Sequence, residues 1–131
     1  MSKMVKKITE GVCVTVEVFY RPEQSSPVNN SYMFAYRITI DNYSNVPVQL
    51  LRRSWFIVDS TLGLRTVDGE GVVGQTPILD ANETFQYVSA ANLRSDAGKM
   101  YGVYLFRNLY TNKDFEVIIP EFMLIAPFKA N

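Results

Sequence analysis

The chain has 131 residues, 47% of them hydrophobic, with 13 basic and 13 acidic side chains, one cysteine and no histidine. That length suits one domain, which at this size buries roughly two-thirds of the surface its unfolded chain exposes and needs no disulfide or metal to hold a core. A formal net charge of zero argues against a binder of nucleic acid or anionic lipid, the lack of histidine removes the common general base near neutral pH, and apolar runs far shorter than the ~20 residues of a spanning helix exclude a membrane pump or channel.

Met1 to Glu10 carries Lys3, Lys6 and Lys7 with no apolar stretch of signal-peptide type behind them. It reads as a flexible lead-in, residues 1–10, to a single soluble domain over 11–131 in a cytoplasmic protein. Val12, Val14, Val16 and Val18 then alternate with Cys13, Thr15 and Glu17, the period of a strand with one buried face. Cys13 sits in this run as a small hydrophobe; no histidine or adjacent base is there to activate it. Arg21 to Asn30 holds Pro22, Ser25, Ser26, Pro27, Asn29 and Asn30, which is turn chemistry. Phe34, Tyr36, Ile38 and Ile40 alternate with Met33, Ala35, Arg37, Thr39 and Asp41 as a second strand, and Asp41 to Asn45 is a polar turn.

Val46 to Val58 is less regular. Val48 and Leu50 share one parity, Leu51, Trp55 and Ile57 the other, and a bulge near Leu50 to Arg53 reconciles them. Shorter strands follow at Gly63 to Val67, Thr84 to Ser89, Lys99 to Arg107, Phe115 to Ile119 and Phe122 to Ile125, and a turn at Leu93 to Gly98 is the only place for a helical fragment. Many short strands between turns predict an all-β, immunoglobulin or fibronectin type III-like β-sandwich of two antiparallel sheets, with a small barrel as the rival. Sandwich edges must be covered or blunted, and an edge-to-edge homodimer is one way of covering them.

Seven blocks, in order, resemble the ApaG family. They are Ser25-Ser26-Pro27, the strand Phe34 to Asn42, Val46 to Trp55, Val67 to Pro77, Phe85 to Ser89, Met100 to Tyr104 and Ile119 to Phe122. The resemblance covers about residues 11 to 128. It implies a fibronectin type III-like sandwich, an indirect link to cobalt and magnesium tolerance in bacteria, and a gene that often neighbours one for a diadenosine tetraphosphate hydrolase. In eukaryotes the domain is appended to F-box proteins and to a polymerase-delta-interacting protein, which implies protein interaction. Ala90 departs from the family, whose members often carry glycine after the serine.

Gly69-x-Gly71-x-x-Gly74 matches the dinucleotide-binding expression, but Pro77 follows closely and nothing after it reads as the helix that would meet a pyrophosphate. Asp68 and Glu70 put negative charge where a phosphate would sit. The bland reading is a loop that needs positive φ at its glycines, with Val72 and Val73 tucked onto the sandwich. Asp68 and Glu70 are the best pair for a hard cation such as magnesium, yet two acids in an exposed loop are more often solvated charges, and no metal site is assigned. No serine has an evident activating partner, so no catalytic residue is assigned. The functional expectation is a non-catalytic module for an unidentified protein partner, without a cofactor. Its contact loop is Asp68, Gly69, Glu70, Gly71, Gly74 and Gln75, with Arg52, Arg53 and Tyr101 as further partner surface and Trp55 as a core tryptophan. The alternative is a sensor of a nucleotide or pyrophosphate, with magnesium, at the glycine loop.

Overall fold

The computed structural model describes residues 3–127; residues 1–2 and 128–131 of the expected lead-in and domain lie outside it. Among the described residues nine strands make two antiparallel sheets packed face to face. One sheet runs β1 (Lys3–Thr9), β2 (Val12–Tyr20), β3 (Tyr32–Asn42), β7 (Thr84–Leu93). The other runs β5 (Gly63–Glu70), β4 (Val48–Asp59), β8 (Ala97–Asn108), β9 (Lys113–Ile125), with the two-residue β6 (Ile78–Leu79) also paired to β4.

The alternation read from the sequence sets the faces. Val12, Val14 and Val16 of β2 and Phe34, Ile38 and Ile40 of β3 are fully buried between the sheets. From the other sheet Trp55, Tyr104, Phe106, Val117, Ile119 and Leu124 meet them. Trp55 is the core tryptophan expected. Its indole lies 5.5 Å from the Tyr36 ring and packs edge-on to Tyr104 at 6.3 Å and Phe122 at 5.8 Å, separations at which aromatic pairs add to simple burial. The sheets are also joined by a buried polar contact, the Tyr87 hydroxyl against the Tyr104 hydroxyl at 2.5 Å.

The expected bulge in β4 falls between Leu50 and Arg52. It brings Val48 and Leu50 before it, and Trp55 and Ile57 after it, onto the same inner face. A second shift, between Met100 and Gly102 of β8, lies across from Pro120, which skips a place in the pairing. Bulges are where a strand tolerates proline. The two strands expected at Phe115 to Ile119 and Phe122 to Ile125 are therefore one bulged strand, β9.

Two expectations are corrected. Residues 3–9 of the lead-in form β1, paired with β2 from Lys3↔Val18 to Thr9↔Val12. Leu93 to Gly98 contains no helical fragment; Leu93 ends β7, Ala97 begins β8, and the turn between them, Arg94 to Asp96, is pinned to Asp59. The helical turns are instead 3₁₀, at Pro22–Gln24 and Pro27–Asn29, each begun by a proline, whose fixed φ suits a first helical position. Ala90 makes no local irregularity, since β7 pairs with β3 in unbroken register from Tyr32↔Leu93 to Asp41↔Thr84.

Candidate glycine hairpin

The glycine motif is half strand and half turn. Asp68, Gly69 and Glu70 are the last residues of β5, so the loop begins at Gly71 and not at Asp68. Asp68 stands across from Ser54 and Glu70 across from Arg52, all with the parity of the sheet's outer face. Both carboxylates are exposed, and among the described residues neither makes an ion pair.

Val72 and Gln75 then close a tight turn by exchanging both backbone bonds, Val72 N donating to Gln75 O at 2.8 Å and Gln75 N to Val72 O at 2.9 Å. Its two central residues have positive φ, 43° at Val73 and 78° at Gly74. That is the pattern of a type I′ turn, for which Asn-Gly is the preferred pair. Val72 is fully buried beneath it, as expected, but Val73 is not tucked in; it is 53% exposed at the apex. A β-branched side chain in the left-handed region is a strained arrangement, of order 1 kcal/mol or more. The sequence offered no sign of it, because Val-Gly is not a turn signature.

Two of the three glycines have the positive φ the motif suggested, Gly71 at 62° and Gly74 at 78°. Gly69 does not; its constraint is space. Arg53 is directly across from it. A Cβ at Gly69 would stand 2.8 Å from the Arg53 guanidinium, and one at Gly71 would stand 2.1 Å from Gln75 O.

The bulge turns Arg53 to the inner side, so of the two arginines expected as partner surface only Arg52 has the parity of the outer face. Arg53 Nη1 donates to Glu70 O at 3.0 Å and Gly71 O at 2.9 Å, and Gly71 N donates to Leu51 O at 2.8 Å. The base of the hairpin is thus held from both sides. Tyr101 is on the outer face as expected, its ring stacked on Phe56 at 5.1 Å and 14°, with Lys99 Nζ 6.0 Å from its centre. The structure brings Asp68, Glu70 and Arg52 together and leaves Tyr101 further along the same face.

The loop's backbone bears on the phosphate question. A phosphate cradle needs free amides pointing at the ligand. Here the amides of Gly71, Val72 and Gln75 are already donated within the protein. Among the described residues no three His, Cys, Asp or Glu side chains gather as a metal site would require. An open hollow of about 310 Å³ at the other end of β5, lined by Asn29, Asn30, Thr61, Leu62 and Arg94, includes none of the predicted residues. No helix of the described residues is long and apolar enough to cross a membrane.

Comparison with known proteins agrees with the sequence blocks. The model of the ApaG domain matches residues 22–108. Protein ApaG of Brucella canis is 41% identical over 124 residues, 95% of each chain, and Protein ApaG of Dechloromonas aromatica is 45% identical over 106 residues, 81% of this chain and 83% of its own. Among solved structures, the putative ApaA protein from Bordetella pertussis superposes with a TM-score of 0.84 at 37% identity, covering 98% of this chain and 97% of its own. A further structural-genomics target gives 0.82, also at 37%, over 89% and 88%. The chain belongs to the ApaG domain family.

Proposed function

We propose that the domain is a non-catalytic module that binds a protein partner through the tip of the glycine hairpin and the carboxylates of Asp68 and Glu70 beside it. The observation that carries this reading is Val73. It is apolar, exposed, held at a φ that disfavours it, and set on a base braced by Arg53. A turn selected only for folding would carry Asn there; strain kept at an exposed apex is a pointer to contact. A braced tip also loses little freedom on binding, which favours affinity. The strand order β2-β3-β7 facing β5-β4-β8-β9 supports reading the scaffold as fibronectin type III-like, with β1 and the short β6 as additions. Any part in cobalt or magnesium tolerance then runs through the partner.

The test is capture from the cell lysate of the source organism with the wild-type chain beside Val73→Asn and the double variant Asp68→Asn, Glu70→Gln. A protein retained by the wild type and lost by both folded variants supports the reading. Equal retention by all three counts against it. The nucleotide or pyrophosphate alternative has less support, since the amides of Gly71, Val72 and Gln75 are committed and two carboxylates flank the loop. Titration of ATP, diadenosine tetraphosphate and pyrophosphate, with and without magnesium, restores it if the Gly71 and Gly74 amide signals shift at about millimolar ligand.

A further inference from the structure

The open strand edges of the sandwich are not alike. β5 carries Arg65, Asp68, Glu70 and two glycines in its eight residues. Charges and glycines on an edge strand discourage another chain from adding to it. β1 carries three lysines, and Thr9 at its end accepts a bond from Ile118 N of β9. β7 has ten residues, Thr84 to Leu93, without one charged side chain, proline or glycine. Among the described residues only β3 pairs with it.

Alternation says which of its backbone groups are free. Glu83 O accepts Asn42 N of β3, so odd-numbered residues turn their N–H and C=O toward β3. Asn92 O faces the other way and accepts Arg65 Nη2. Thr84, Gln86, Val88 and Ala90 therefore present N–H and C=O to the open edge. Their side chains are exposed on the outer face, Val88 to 58%. The edge is regular as well as uncharged, because its register with β3 is unbroken.

We propose that β7 pairs with β7 of a second copy of this chain, antiparallel across a twofold axis near Val88, joining two four-stranded sheets into one. Charge selects this occupant. A strand that pairs with itself meets its own side chains; β5 and β1 would bring like charges together, and β7 brings none. Arg37, across from Val88 on β3, already has Glu17 at 2.7 Å. A net charge of zero leaves no long-range repulsion between copies. In this register Val88 exchanges both backbone bonds with its counterpart, and Gln86 pairs with Ala90.

Light scattering from about 1 to about 500 μM, a range that brackets ordinary dimer affinities, with amide hydrogen exchange at both ends, tests this. The molar mass is expected to double with concentration while the amides of Gln86, Val88 and Ala90 slow, and Val88→Lys is expected to return a folded monomer. Should Val88→Lys fail to fold, Ala90→Lys charges the same edge. A monomer throughout the range overturns the proposal. So does a dimer in which those three amides stay fast, or one that survives a folded charge variant.

Discussion

Arg53 lies against Gly69, the residue directly across from it on β5, so closely that a Cβ there would come within 2.8 Å of the guanidinium. The same guanidinium bonds Glu70 O and Gly71 O. The three motif glycines thus serve three different needs, and alanine should separate them. Gly71→Ala meets both a positive φ and the Gln75 carbonyl at 2.1 Å, and is expected to cost about 2–4 kcal/mol. Gly69→Ala displaces the Arg53 side chain from its carbonyl acceptors, about 1–2 kcal/mol. Gly74→Ala has open space and only its φ of 78° to bear, about 1 kcal/mol. Denaturant melts of the three variants check the order; equal losses, or none, contradict this account of the loop.

The buried hydroxyl pair of Tyr87 and Tyr104 is expected to behave non-additively. Tyr104→Phe leaves the Tyr87 hydroxyl without that partner in the core and should cost about 1–2 kcal/mol. The double change to Phe removes both polar groups and should cost less than the two single losses added together. A double-mutant cycle reads the coupling; strict additivity would show that the contact contributes nothing.

Stability should fall at both ends of the pH scale for separate reasons. Burial penalises the Asp59 carboxylate, but bonds from the Arg94 amide, the Ser95 hydroxyl and the Thr61 and Leu62 amides outweigh it and hold the pKa below the usual carboxylate value. A lowered folded pKa stabilises above the unfolded value, near 3.9, and that contribution is lost as pH falls through the folded pKa. At the alkaline end, burial pushes Tyr36, Tyr87 and Tyr104 up. Their contribution is complete below the unfolded value, near 10, and is lost as pH rises beyond it toward their folded values. Thermal melts from acid to alkaline pH should show both shoulders. Asp59→Asn should flatten the acid shoulder alone, and the Tyr87, Tyr104 double change to Phe the alkaline one.

The sheets were legible because their inner residues alternate cleanly, as in Val12 to Val16 and Phe34 to Ile40, and the β4 bulge was legible because Leu50 and Trp55 disagree in parity. β1 was not, because an edge strand with Lys6 and Lys7 exposed need not look apolar. Leu93 to Gly98 read as a turn with room for a helical fragment, for want of a strand pattern, while its conformation is set by Asp59, 34 positions before Leu93 in sequence but bonded to Arg94 N at 2.6 Å. The site was half legible. The glycines marked a turn and the acids its exposed flank, but the inward turn of Arg53 depends on the bulge, and the strain at Val73 depends on a turn type its residues do not announce.

The most direct test of the hairpin as a contact surface is Val73→Asn, measured for stability and for partner capture side by side. Asn tolerates the left-handed region and completes the preferred Asn-Gly pair, so the melting temperature should rise, by the equivalent of about 0.5–1 kcal/mol. If Val73 is kept for contact, the more stable variant should retain less of the partner that the wild type captures. A variant that is more stable and binds that partner as well as the wild type would contradict the account.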